Sequence, residues 1–254
     1  MVKIAVFDSG LGSLSIIKAI QKTFKSEIIY FADCQNYPYG KKSVFELENI
    51  MKKSINLLQD LFLPDFIVIA SNTPSLMLNL QTEKIIDVKP PLEDAKKISK
   101  TKQIAILATK SAISSKGLNQ YIKKNYSIKS LKILTINASE LVELVESGKF
   151  VTDKQYCVKI IKKILDKIIS QNSIDTVTLS STHLPFLKSL LEKQYPHVTF
   201  LDPGNKVSET IFLKIKDNQS KRNSLRIFTS GNTKEFQRKL KMIGINNHVN
   251  YLSI

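Results

Sequence analysis

Two short stretches hold the side chains best suited to chemistry. In "IVIASNTPSL", Ile67 to Leu76, an apolar run stops at Ser71-Asn72-Thr73. In "VTLSSTHLPFL", Val177 to Leu187, a second run stops at Ser180-Ser181-Thr182-His183. A third polar turn, "DSGLGS" (Asp8–Ser13), closes the first apolar run of the chain. Hydroxyl, amide, imidazole and carboxylate groups in such places can accept, donate and relay protons or hold a small polar ligand. His183 gains weight from its place beside Thr182 in a strand-end turn. Tyr39, in "NYPYG", also reads as a turn cap, and Glu146, in "ELVELVESG", as an ordinary helix-face carboxylate.

The elements that must position these groups alternate along the chain. Candidate strands are Lys3–Phe7, Ile28–Ala32, Phe66–Ala70, Gln103–Ala108, Lys132–Ile136, Thr176–Leu179, Val198–Leu201 and Arg226–Thr229. Between them "LSIIKAIQKTF", "FELENIMKKSINLLQDLF", "DKQYCVKIIKKILDKIIS" and "TKEFQRKLKMIG" carry apolar residues at helical spacing. Such alternation predicts parallel sheets covered by helices. In open parallel sheets ligands bind outside the carboxyl ends of the strands, where the next helix also begins with unpaired N–H groups. The polar stretch "KPPLEDAKKISKTK" and the later "DPGN" read as boundaries. The expected organisation is an α/β protein of two similar lobes, each a mainly parallel sheet flanked by helices. Residues 1–101 with 205–254 form one lobe and 102–204 the other, with the site in the cleft between them.

Composition narrows the class. The 254 residues are 43% hydrophobic, ample for packed cores, and no segment reaches the roughly 18 uninterrupted apolar residues of a membrane span. "MVKIAVFD" opens directly on a strand without a signal-peptide layout. Cys34 and Cys157 have neither metal spacing nor a disulfide framework, which points to a reducing cytoplasm and no metal. The net charge of +16 is almost all lysine, spread along helices rather than gathered in an arginine-rich arm. That distribution reads as a solvated surface that attracts small anions, and neither a nucleic-acid nor a membrane partner is expected. "GLGSLS" with Asp33 downstream invites a dinucleotide reading, but Ser15 stands where the third glycine is needed.

Taken in order along the whole chain, these pieces resemble the glutamate racemase family of the aspartate/glutamate racemase superfamily. "VFDSGLGSLS" is similar to its N-terminal aspartate turn, "NYPYGKKS" to its Pro-Tyr-Gly loop and "IASNTPSL" to its Cys-Asn-Thr turn. "ILATKSAISS" resembles its mid-chain threonine turn, "LVELVESG" its glutamate helix and "LSSTHLPFL" its Gly-Cys-Thr-His turn. "LRIFTSGNTKEF" resembles its closing strand and helix, and His183 together with "PYG" points to the glutamate branch.

The resemblance implies cofactor-independent interconversion of L- and D-glutamate by two-sided proton transfer at the α-carbon. The implied catalytic positions are Ser71, Ser181, Asp8, His183 and Glu146. The implied substrate contacts are Asp8, Ser9, Tyr39, Gly40, Asn72, Thr73, Thr109, Thr182 and His183. The implied ligand is a small acidic amino acid, glutamate or aspartate, and the resemblance allows a homodimer. Departures fall at the chemistry: Ser71 and Ser181 match the family's two cysteines, Ser180 and Leu184 replace glycine and tyrosine, and Ser13 replaces a glycine. A thiol titrates near pH ~8.5, whereas a hydroxyl is ionised only when a neighbouring base activates it. A divergent protein that binds an acidic amino acid or dicarboxylate, or runs another proton-transfer or elimination reaction, is the alternative reading.

Overall fold

A computed structural model describes residues 2–126, 131–215 and 220–254. The chain divides into two compact units, Met1–Val88 with Gly204–Ile254 and Lys89–Pro203. In chain order the first unit begins with β1 (Lys3–Asp8), α1 (Ser13–Thr23), β2 (Glu27–Ala32), α2 (Val44–Phe62), β3 (Phe66–Ile69), α3 (Asn72–Met77) and β4 (Ile85–Asp87). The second unit follows with α4 (Leu92–Ile98), β5 (Gln103–Ala108), α5 (Lys110–Ile113), α6 (Lys116–Tyr126), β6 (Lys132–Asn137), α7 (Ser139–Glu146), α8 (Lys149–Thr152) and α9 (Lys154–Gln171). It closes with β7 (Thr176–Leu179), α10 (Lys188–Gln194) and β8 (Thr199–Leu201). The chain then returns to the first unit through α11 (Pro203–Ile215), β9 (Ser224–Thr229), α12 (Thr233–Met242) and β10 (Val249–Tyr251).

Both sheets are parallel, in the orders β10-β9-β2-β1-β3-β4 and β6-β5-β7-β8. The strands "KIAVFD" and "QIAILA" are buried at every position after the first. Continuous burial follows when helices cover both faces of a sheet, and the unbroken apolar reading of these strands is its sequence image. One core gathers Phe7, Phe31, Leu47, Met51 and Leu58 in the first unit. The other gathers Leu107, Val145, Ile161, Leu165 and Phe200 in the second.

Local sequence sets the helix ends. Ser43 and Glu46 form a reciprocal capping box at the start of α2. The carboxylate of Asp153 accepts from Tyr156 N–H at 2.9 Å to open α9, and Asn232 accepts from Glu235 N–H at 3.0 Å to open α12. The first unit boundary differs from the sequence expectation at Lys102. Asp175 accepts from Ser99 Oγ at 2.6 Å, Lys100 N–H at 2.7 Å and Thr101 N–H at 2.9 Å. Tyr121 Oη also donates to Pro90 O at 3.1 Å, so residues from Lys89 onward pack with the second unit.

Candidate functional site

In the first unit the register sets Asp8 level with Ala32, and Phe7 level with Ile69. Asp33 N–H donates to Asp8 O and Ala70 N–H to Phe7 O, both at 2.8 Å. Asp8, Asp33 and Ser71 therefore lie at the carboxyl ends of three neighbouring strands. Asp8 is buried, and its carboxylate accepts from Ser9 N–H at 2.7 Å. Ser71 occupies the cap position of α3 without capping it, and among the described residues its hydroxyl has no hydrogen-bond partner.

The backbone around Ser71 is braced instead by its neighbours. Ser75 Oγ donates to Ser71 O at 2.7 Å and accepts from Val88 N–H at 3.1 Å. Asn72 Nδ2 donates to Val88 O at 3.0 Å, which leaves Asn72 Oδ1 buried without a partner. Thr73 is buried beside it. Tyr39 and Gly40 lie in the 3-10 turn Tyr39–Lys41, and the buried Tyr39 hydroxyl donates to Asp33 Oδ2 at 3.0 Å. Burial, with the charges of Asp33 and Asp8, pushes the Tyr39 phenol well above its usual range.

In the second unit Ala138 N–H donates to Ala108 O and Ser180 N–H to Leu107 O, both at 2.8 Å. Thr109, the start of α7 and the Ser180–His183 turn thus lie at the carboxyl ends of three neighbouring strands. Thr109 caps α5 through a bond from Ala112 N–H at 3.3 Å. Ser180 and Thr178 pair their hydroxyls at 2.9 Å, whereas the Ser181 hydroxyl has no hydrogen-bond partner among the described residues. Ser181, Thr182 and His183 are all buried. His183 Nε2 lies 3.0 Å from Glu146 Oε2, and both side chains are under a tenth exposed. Glu146 ends α7, at the negative pole of that helix, a place that favours a positively charged neighbour. An imidazole held by a buried carboxylate is an oriented acid–base pair.

The structure gathers Asp8, Ser9, Tyr39, Gly40, Ser71, Asn72 and Thr73 in the first unit. Thr109, Glu146, Ser181, Thr182 and His183 belong to the second. Asp33 was visible in the sequence only as a nucleotide-binding acid. Its carboxylate is fully buried and taken up by side chains of its own unit, which leaves none of it to read a ribose. Ser230 and Asn36, two of those partners, had no signal in the sequence pattern. Among the described residues no group of three or more His, Cys, Asp or Glu side chains is placed to hold a metal ion.

No protein-family model matches the chain. It is 31% identical over 248 residues to the glutamate racemase of Sulfurihydrogenibium sp. (strain YO3AOP1), covering 94% of this chain and 93% of that one. The chain belongs to the glutamate racemase family. The crystal structure of a glutamate racemase isoform from Bacillus anthracis has the same fold, with a TM-score of 0.86 at 23% identity over 100% and 98% of the two chains. Glutamate racemase from Francisella tularensis subsp. tularensis SCHU S4, in complex with D-glutamate, aligns with a TM-score of 0.80 at 21% identity over 100% and 97%. No helix among the described residues is long and apolar enough to cross a membrane.

Proposed function

We propose that the chain binds glutamate and slowly interconverts the enantiomers by proton transfer at the α-carbon. What carries the reading is the same juxtaposition in each unit: an unbonded strand-end serine and a buried acid–base group at the carboxyl ends of one sheet. Asp8 serves that role on the Ser71 side and the His183–Glu146 pair on the Ser181 side. One side removes the α-proton, the carboxyl-stabilised carbanion forms, and the opposite side returns a proton to the other face. The roles reverse for the other enantiomer, so atoms and charge balance without a cofactor.

The ligand class rests on further support. The Francisella relative is in complex with D-glutamate. The partnerless Asn72 Oδ1 is an acceptor of the kind an amino acid's ammonium group requires. Thr73 and Thr182 offer hydroxyl donors for carboxylates. Cys34 and Cys157 form no disulfide among the described residues, which suits a reducing cytoplasm.

The rate is limited by the hydroxyls. Each pKa unit between a hydroxyl and a thiol costs about 1.4 kcal/mol in reaching the ionised form. Neither serine has a hydrogen-bonded base to offset that cost. The same observation favours a second reading, a protein that holds glutamate or another dicarboxylate without turnover. Proton NMR in deuterium oxide separates the two. Loss of the α-proton signal from both L- and D-glutamate, with circular dichroism drifting towards zero, supports slow racemisation. Calorimetric binding without exchange leaves the binding protein, and absence of binding overturns both.

A further inference from the structure

Asp33 is a fully buried carboxylate with both oxygens hydrogen-bonded, and no step of the proposed reaction uses it. It follows β2 and is fully buried. Its Oδ2 accepts from the Tyr39 hydroxyl at 3.0 Å and from Asn36 Nδ2 at 2.9 Å. Its Oδ1 accepts from Ser230 Oγ at 2.9 Å and from the same Asn36 amide at 3.0 Å. Ser230 in turn accepts from Gln35 N–H at 3.0 Å. Packing at this point is close: a Cβ on Gly231 would meet Cys34 Cβ at 2.7 Å. Three segments converge on one side chain: the end of β2, the turn that carries Tyr39 and Gly40, and the end of β9. Asp33 N–H also donates to Asp8 O, so the convergence is fastened to the strand that ends in Asp8.

Burying a carboxylate is costly unless its lone pairs are filled, so this arrangement needs a reason. A purely structural link between β2 and β9 exists without it. Ser230 N–H and Thr229 Oγ1 already bond Ala32 O. What Asp33 adds is the hold on Tyr39. We propose that Asp33 is a positioning residue, whose carboxylate fixes the Tyr39 side chain and thereby sets the turn of Tyr39 and Gly40 for the ligand beside Asp8. This inference rests on the glutamate reading for the ligand and on the bonds above for the hold.

The carboxylate cannot be exchanged for an amide. Both oxygens face donors, so Asp33→Asn keeps the shape but turns an N–H₂ group towards a donor on one side. Hydrogen bonds to a charged group contribute about 1.5–3 kcal/mol, so the turn should open and glutamate should weaken by about tenfold or more.

Hydrogen–deuterium exchange and calorimetry with glutamate on the full chain provide the test, using Asp33→Asn and Tyr39→Phe. The expected result is faster exchange confined to residues 36–42, unchanged exchange in β1, and weaker glutamate binding by both variants. Ser230→Ala, which spares the Tyr39 bond, should have the smaller effect on both readouts. Exchange in 36–42 at the parent rate with unchanged affinity overturns the proposal. So does faster exchange spread equally through β1 and β2, which marks a general loss of stability. If Asp33→Asn does not fold, Tyr39→Phe decides by the same two readouts. If the parent chain binds no glutamate, the ligand reading fails by itself, while the exchange of residues 36–42 still decides whether Asp33 holds the turn.

Discussion

The turns after β3 and β7 both place an unbonded serine hydroxyl at a strand end, yet they are equipped differently. Ser71 opens a short helix, and Asp8 ends the neighbouring strand β1 of the same sheet. Ser181 lies two residues before His183, which caps the 3-10 turn Leu184–Leu187. The His183 imidazole is paired with Glu146 from another element. One half therefore has a carboxylate and the other an imidazole–carboxylate pair. The difference teaches that a repeated backbone grammar need not carry equivalent chemical groups.

The strongest way to sharpen this comparison is to restore a better proton carrier to each turn. Ser71→Cys with Ser181→Cys should raise D/L interconversion by about a thousandfold or more, because several pKa units of mismatch are removed at about 1.4 kcal/mol each. The single changes should be unequal and non-additive, since inversion needs both groups. Ser71→Cys alone should accelerate α-deuterium exchange for one enantiomer, and Ser181→Cys for the other. A folded, glutamate-binding double variant with no exchange above the parent would falsify the assigned geometry. Equal exchange of both enantiomers in each single variant would break the comparison itself.

A smaller effect should come from the pair behind His183. In the double-cysteine variant, Glu146→Gln leaves the imidazole in place but removes its charged partner. General acid–base assistance contributes about 10²–10⁴-fold, and loss of the orienting group should cost the lower end, about a hundredfold. The loss should fall on the enantiomer whose proton is handled from the Ser181 side, read as separate exchange rates for L- and D-glutamate. Asp8→Asn should do the reverse. Matching losses for both enantiomers would mean that the two halves act as one unit.

These residues also mark how far sequence reasoning reaches. The ends of β1, β3 and β7 were legible because burial on both faces writes an unbroken apolar run that stops abruptly at polar residues. The long helices were legible from their periodicity. β4 and β10 were not, because Ile85–Asp87 and Val249–Tyr251 are three residues long and become strands only by pairing with β3 and β9. Within the boundary stretch "KPPLEDAKKISKTK", the side-chain and backbone donors of Ser99, Lys100 and Thr101 are claimed by Asp175, far along the chain, which no local pattern encodes. The His183–Glu146 bond spans 37 residues, and no local spacing encodes it; only the resemblance brought Glu146 forward. Asp33 showed as an acid after a strand, while the identity of its partners depends on the fold.

The smallest expected effect concerns two carboxylates that fasten the two halves. Burial is the largest influence on both. It pushes Asp33 above its ordinary value, against the bonds from Asn36, Ser230 and Tyr39. In Asp175 burial is outweighed by the bonds from Ser99, Thr101, Thr176 and Lys100 together, and the group is held below its ordinary value of 3.8. The signs then differ. A lowered Asp175 stabilises the fold above the unfolded-state value, and that contribution is lost as pH falls through its lower folded value. A raised Asp33 binds its proton more tightly when folded, so acid relieves its burial cost rather than adding to it. Acid should therefore act through Asp175 on the unit that bears Ser181, and not through Asp33 on the unit that bears Ser71. Because Asp175 is partly exposed and screened by solvent, Asp175→Asn should cost only about 1 kcal/mol at pH 7. Urea unfolding at pH 7 and again well below 3.8 checks this, since the gap between variant and parent should close in acid. Hydrogen exchange at pH 7 should rise around residues 99–101 and 175–176 with β1 unchanged. A gap that persists or widens in acid would show that Asp175 holds these residues without its charge.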